Sequence, residues 1–136
     1  MDAVKKTQPG RRALEADAVY CAAVGIAAMA LDRKLAKRLS TPRHLVRIAG
    51  GATLAWGGVV AGMSRAKPVS PALKTVAATN AAGALGLAVL GIRHPRPFGQ
   101  LVFVGLALEV GAFAGIQVAA LVQERKLTKL EEKSAK

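Results

Sequence analysis

Four long apolar segments, separated by short segments rich in charge, set the pattern of this sequence. Apolar and polar positions do not alternate within the long segments, which argues against β-strands. A helix of about 20 apolar residues is long enough to cross the roughly 30 Å hydrocarbon core of a bilayer. The six prolines lie between these segments or at their edges, and nearly all of the 14 glycines lie within them. We therefore predict four transmembrane helices, at residues 13–32, 45–64, 72–92 and 97–123.

The predicted fold class is all-α: a polytopic membrane protein, built as a four-transmembrane-helix bundle with short loops. Residues 1–136 are predicted to form a single membrane domain, with a basic N-terminal arm at 1–12 and a cytoplasmic C-terminal tail at 124–136 that extends the fourth helix. A soluble bundle is the alternative, but its helices would need polar faces, and these segments have almost none. A cleaved signal peptide is the alternative for the first segment, although Glu15 and Asp17 interrupt its basic leader.

The distribution of charge along the chain predicts its orientation in the membrane. The net charge is +12, and nearly all of the charged residues lie in the loops and tails. More of the 20 basic residues lie in segments that share a side with the termini, so the positive-inside rule favours cytoplasmic termini in a bacterial plasma membrane. Aromatic residues make up only 4% of the chain and do not interleave with the basic ones, so no nucleic acid partner is predicted.

The first loop carries the densest basic charge. Leu31, Leu35 and Leu39 recur every four residues between basic positions, which predicts a short amphipathic helix lying on the membrane surface. Anionic lipid headgroups are the partner expected for its basic side chains. The candidate headgroup-binding residues are Arg33, Lys34, Lys37 and Arg38.

Glu109 is the most informative single residue, because it lies near the middle of the fourth apolar segment. An ionisable group at that depth costs up to about 2.5–3.5 kcal/mol on insertion scales, so it is expected to face the bundle interior and to be paired or protonated. Asn80, near the middle of the third segment, is the predicted partner. Glu109 is either a proton or cation site in a transport path or a structural carboxyl bonded to a neighbouring helix.

Asp17 and Gln117 form a second predicted polar pair. The first helix enters and the fourth leaves on the same membrane side, so both residues lie toward that side. Lys74, at the start of the third helix, is a candidate counter-ion for Asp17. The expected role of this group is a structural ion pair near the interface.

Small residues at helical spacing predict close helix contacts. Gly111 and Gly115 form a GxxxG pair on the side of the fourth helix opposite Glu109. A second stripe of small residues runs along the second helix and consists of Gly51, Ala55, Gly58 and Gly62. One of these stripes is expected to mark a homo-oligomer interface, the alternative being that Ala and Gly are simply frequent in this chain.

The sequence holds no nucleotide-binding loop, zinc-protease helix or nucleophile elbow, so we predict no enzyme activity, no catalytic residue, no metal and no cofactor. His44 and His94 lie in loops on one side, but two histidines without accompanying carboxylates are a poor ligand set. Cys21 is expected to be a small packing residue.

Five parts of the chain resemble known proteins. They are Asp17, the segment 39–50 with its Thr-Pro and arginines, Trp56, the segment 76–80 and the segment 113–121 with its Gln. Together they resemble a group of small actinobacterial integral membrane proteins with four helices. No activity is established for that group, so the resemblance implies architecture and location only. Small multidrug exporters are also four-helix proteins with an intramembrane Glu, but theirs lies in the first helix.

The functional prediction is a non-enzymatic accessory or interaction subunit. Its expected partners are the lipid bilayer and either a second copy of itself or a larger membrane complex. The alternative is a small proton-coupled transporter or channel that uses Glu109. A quinone- or haem-associated redox subunit is a third hypothesis, and it requires a bound chromophore.

Overall fold

The computed structural model describes residues 9–134. Within this range there are five helices: α1 (Pro9–Ala30), α2 (Asp32–Leu39), α3 (Arg43–Met63), α4 (Ser70–Arg93) and α5 (Pro97–Ser134). All except α2 are long and apolar enough to cross a membrane. The predicted all-helical class and the four long apolar helices are thus confirmed. Residues 1–8 and 135–136, which include most of the predicted arm and the end of the predicted tail, lie outside the described residues.

Two of the long helices extend beyond the apolar segments. α1 begins at Pro9 instead of residue 13, because proline suits the first turn of a helix, where its missing N–H has no bond to lose. α5 continues past residue 123 to Ser134, because the Glu, Lys, Arg and Leu residues of the tail are strong helix formers. The tail is therefore a helical extension of the fourth long helix.

The long helices pack as two pairs, α1 with α3 and α4 with α5, and α1 also packs along α5 to join the pairs. The backbones of α1 and α3 approach closely. A Cβ at Gly25 would lie 2.7 Å from the carbonyl oxygen of Gly50, and a Cβ at Gly57 would lie 3.0 Å from the carbonyl oxygen of Ala18. Small residues are needed at such contacts, since a larger side chain would force the helices apart.

The most deeply buried apolar side chains lie at the end of the molecule where α1 and α4 begin. Leu14, Val60, Leu73 and Val76 are each fully buried in one cluster that draws on α1, α3 and α4. The side chain of Arg11 closes this end by donating from Nε to the carbonyl oxygen of Ser64 at 2.9 Å. This bond ties the start of α1 to the end of α3.

α2 is the short amphipathic helix that the leucine spacing predicted. Asp32 and Leu39 are buried on the side that faces the protein. The four basic residues predicted to bind headgroups are all exposed: Arg33, Lys34, Lys37 and Arg38. The carboxylate of Asp32 accepts a hydrogen bond from Nε of Arg43 at 2.7 Å, which fastens α2 to the start of α3.

Candidate functional site

A buried polar cluster connects three of the long helices. Asp17 of α1, Asn80 of α4 and Gln117 of α5 are 2%, 5% and 0% exposed. Asn80 Nδ2 and Gln117 Nε2 each donate to Asp17 Oδ2 at 2.7 Å, and Asn80 Nδ2 also donates to Gln117 Oε1 at 3.2 Å. Because each side chain bonds to both others, the cluster links the α1–α3 pair to the α4–α5 pair.

The cluster is fully satisfied. Cys21, one turn after Asp17 on α1, donates from Sγ to Asp17 Oδ1 at 3.5 Å, so both carboxyl oxygens have partners. Within residues 9–134, no buried side-chain nitrogen or oxygen lacks a hydrogen-bond partner. A closed network of this kind holds helices in register and leaves little capacity to bind a further ligand.

These bonds confirm one predicted pairing and overturn another. Asp17 and Gln117 are bonded as predicted. The prediction that Asn80 pairs with Glu109 is wrong, because both amide bonds of Asn80 go to Asp17 and Gln117. The proposed counter-ion Lys74 is exposed at the protein surface, and the donors to Asp17 are amides and a thiol.

Glu109 occupies a different position from the predicted one. Its side chain lies exposed on the outside of α5, toward α1, and not in the bundle interior. The hydroxyl of Tyr20 donates to Glu109 Oε2 in a short hydrogen bond. The Tyr20 ring also packs on Phe113, one turn from Glu109, with 5.0 Å between the ring centroids. The outer side of the α1–α5 contact thus carries the Tyr20–Glu109 pair, which is separate from the buried cluster of Asp17, Asn80 and Gln117.

An open groove lies between α1 and α5, toward the end of the molecule where α1 begins. It has a volume of about 440 Å³, and its walls come from both helices: Pro9, Arg12, Ala13, Ala16, Ile116, Ala119, Ala120 and Gln123. Tyr20 follows Ala16 by one turn of α1, and Phe113 precedes Ile116 by about one turn of α5. We call this groove, together with Tyr20, Glu109 and Phe113, the α1–α5 seam.

The predicted small-residue stripe on α3 faces outward. A Cβ at Gly51, Gly58 or Gly62 would meet no atom within 4 Å, and Ala55 is exposed. The neighbouring residues Gly50 and Gly57, one position earlier, make the contact with α1 instead.

On α5, the two glycines of the GxxxG pair have different surroundings. A Cβ at Gly111 would lie 3.7 Å from the Cβ of Ala84 on α4, whereas a Cβ at Gly115 would meet no atom within 4 Å. Neither stripe makes a continuous contact within a single copy of the chain. Their predicted role in association therefore stays a prediction.

The loop residues have structural roles of their own. The hydrogen bond from Arg43 holds the pKa of Asp32 below its usual range, although burial acts in the opposite direction. Nδ1 of His94 accepts a hydrogen bond from the N–H of Arg96 at 3.1 Å, and the His94 ring packs on Phe103. His44 is exposed. In residues 9–134, no three His, Cys, Asp or Glu side chains are grouped so that they could hold a metal ion.

Sequence reasoning missed Tyr20. The signal that could have found it is its depth. Tyr20 lies roughly 17 Å from the start of α1 and Glu109 roughly 18 Å from the start of α5, so both lie near the middle of a span although the two helices begin at opposite ends. Comparisons with known proteins add no assignment to either polar group, because no family model, no curated protein and no solved structure matches the chain.

Proposed function

We propose that the chain is a multi-pass membrane protein of the bacterial plasma membrane, with cytoplasmic termini, and that it works as a non-enzymatic interaction subunit. It associates with a second copy of itself through the α1–α5 seam. The observation that carries this proposal is the exposure of Glu109 near the middle of the longest apolar helix. In a bilayer that position faces acyl chains unless another protein covers it.

The cost of exposing the Glu109 carboxyl to lipid favours association. An ionisable group facing lipid at that depth costs up to about 2.5–3.5 kcal/mol on insertion scales. A carboxylate has two oxygens that can accept about four hydrogen bonds in all, and the Tyr20 hydroxyl supplies one. Association removes the carboxyl from lipid and brings further polar groups to it, so the free energy of exposure favours the assembled state.

The surroundings of Glu109 suit a helix as the covering group. Four of the eight residues that line the groove of the same seam are alanines, and small side chains let helix backbones approach closely in a bilayer. Two-fold dimers, in which both copies use the same surface, are the commonest homo-oligomers. A second copy offers the same alanine-lined groove, so the seam can pair with itself about a two-fold axis.

The test measures association of the full chain in liposomes. Copies labelled at the C-terminus with donor or acceptor dyes are mixed, and energy transfer is followed as the protein-to-lipid ratio is varied. Glu109→Leu, which suits lipid, is expected to weaken association about ten-fold or more, which corresponds to about 1.4 kcal/mol. Glu109→Gln keeps the hydrogen-bonding capacity and is expected to retain most of the association.

Thr79→Leu is the matched control. Thr79 is an exposed polar residue on α4, away from the seam, and its hydroxyl bonds the carbonyl oxygen of Thr75 within its own helix. This variant is expected to associate like the wild type. Equal association of Glu109→Leu and wild-type protein, or a wild-type monomer at every ratio, would contradict the proposal.

Proton-coupled transport is the second candidate. The exposed Glu109 carboxyl favours it, because an ionisable group at membrane depth can carry a proton. The test is flux driven by a pH gradient in the same liposomes. A transporter would lose this flux in the Glu109→Gln variant while remaining folded, whereas an interaction subunit would show no such flux in either form.

A further inference from the structure

Three basic side chains from two separate parts of the chain converge at the end of the molecule opposite the buried core. Lys37 and Arg38 on α2 and Arg96 before α5 line one open cavity with Pro97 and Phe98, and the cavity has a volume of about 640 Å³. We propose that this cavity is a discrete binding site for the headgroup phosphate of an anionic phospholipid. The inference rests on the membrane location proposed above, but not on self-association.

The charge of the cavity is not balanced locally. No acidic side chain is among the residues that line it. The only acidic residue of α2, Asp32, lies buried on the face toward α3, where it is bonded to Arg43 at 2.7 Å and lies 3.7 Å from Arg47. The cavity therefore presents three positive charges, and an anion is the ligand that they attract.

The geometry suits phosphate in particular. The guanidinium of Arg38 lies over the ring of Phe98, 5.2 Å from its centroid, in a cation–π contact. A guanidinium stacked in this way keeps its edge N–H groups free for bidentate bonds to phosphate oxygens. α5 begins at Pro97, so the positive end of the helix dipole of a 38-residue helix adds to the same field.

The position of the cavity favours a lipid over a free phosphate. α2 lies between the ends of two long apolar helices, so its exposed basic face is at headgroup level when those helices cross a bilayer. Leu101, one turn into α5 from Pro97, is 75% exposed and offers a path for an acyl chain directly beside the cavity. The headgroup phosphate and the chain of one lipid can thus contact α5 together.

The test is a count of bound lipids on the purified full chain by native mass spectrometry. The protein is titrated with phosphatidylglycerol, and separately with phosphatidylcholine of the same chains. The site variant is Arg38→Gln with Arg96→Gln. The matched control is Arg33→Gln with Lys34→Gln, which removes the same charge from the exposed face of α2 outside the cavity.

The proposal expects one phosphatidylglycerol that binds at least ten-fold more tightly than phosphatidylcholine. The site variant is expected to lose this preference, and the control to keep it. Phe98→Leu, which leaves every charge in place, is expected to weaken the preference about three-fold through loss of the stacked ring. Circular dichroism establishes that each variant keeps its helix content.

Three results would overturn the proposal. An equal loss in site and control variants would show that the charge acts diffusely and that there is no discrete site. Equal binding of the two lipids, which both carry a phosphodiester, would show that the cavity does not select an anionic headgroup. Full competition by millimolar inorganic phosphate or glycerol phosphate would assign the cavity to a soluble anion. None of these results bears on the energy-transfer test of Glu109, so the two proposals fail separately.

Discussion

Replacing Asn80 by Leu tests whether the buried polar cluster holds the two helix pairs together. Asn80 donates two hydrogen bonds, to Asp17 and to Gln117, and it is 5% exposed. Hydrogen bonds between transmembrane helices are worth about 0.6 kcal/mol on average and up to about 1.7 kcal/mol. An acceptor left buried without its partner adds a penalty of about 1–3 kcal/mol. We expect Asn80→Leu to lower the free energy of unfolding by about 2–4 kcal/mol.

The network also predicts a departure from additivity. Asp17→Leu and Gln117→Met each remove one hydrogen bond from both of the other two side chains in the cluster, which stay buried. When all three residues are replaced by apolar ones, no buried polar group remains unpaired, and such a change is often close to neutral. The triple variant Asp17→Leu, Asn80→Leu, Gln117→Met is therefore expected to lose much less stability than the three single losses combined.

The assay is reversible unfolding in mixed micelles by a denaturing detergent, followed by circular dichroism. Thr79→Val is the control, because Thr79 neighbours Asn80 but is exposed and bonds only within its helix. Its loss should stay below about 0.5 kcal/mol, as for most surface changes. The reasoning is refuted if Asn80→Leu is no more damaging than Thr79→Val, or if the three single effects simply add.

Two further predictions concern helix contacts and pH. Gly25→Ala puts a Cβ 2.7 Å from the carbonyl oxygen of Gly50 and should destabilise the protein by about 1–3 kcal/mol in the same assay, whereas Gly58→Ala meets no atom within 4 Å and should be neutral or slightly stabilising. The pKa of Asp32 is lowered in the folded state, so its contribution is complete at neutral pH and declines as the pH falls below its ordinary value of 3.8. Thermal melts between pH 7 and pH 3 should therefore show a smaller loss of stability for Asp32→Asn than for the wild type.

The existence of the helices followed from the sequence because it depends on one quantity, the length of each apolar segment. The direction in which each side chain faces depends on helix rotation, and an apolar segment without a polar face does not specify it. α2 illustrates the contrast. Its spacing of leucines and basic residues predicted an amphipathic helix, and in the structure Leu39 is buried and Arg38 is exposed.

The error at Glu109 has the same origin. Depth along the helix suggested Asn80 as its partner, and the depths are indeed similar along antiparallel neighbours. Rotation decides the contact, and Glu109 faces α1 on the outer side while Gln117, two turns later, faces inward to Asn80. Asp17 and Gln117 were paired correctly because both lie on helices that meet at the same end.

The Gly10 N–H of α1 donates to Glu124 Oε1 of α5 at 3.3 Å, and two contacts between side chains of different kinds also join these helices. Asp17 and Gln117 form the inner one, which is buried and fully bonded. Tyr20 and Glu109 form the outer one, which is exposed and only partly bonded. The inner contact joins the two helix pairs through Asn80 as well. The proposed second copy would cover the Glu109 carboxyl, which is otherwise exposed on an apolar helix at a free-energy cost. For this reason, Glu109→Leu should weaken association while leaving the unfolding of the single chain unchanged or slightly more difficult.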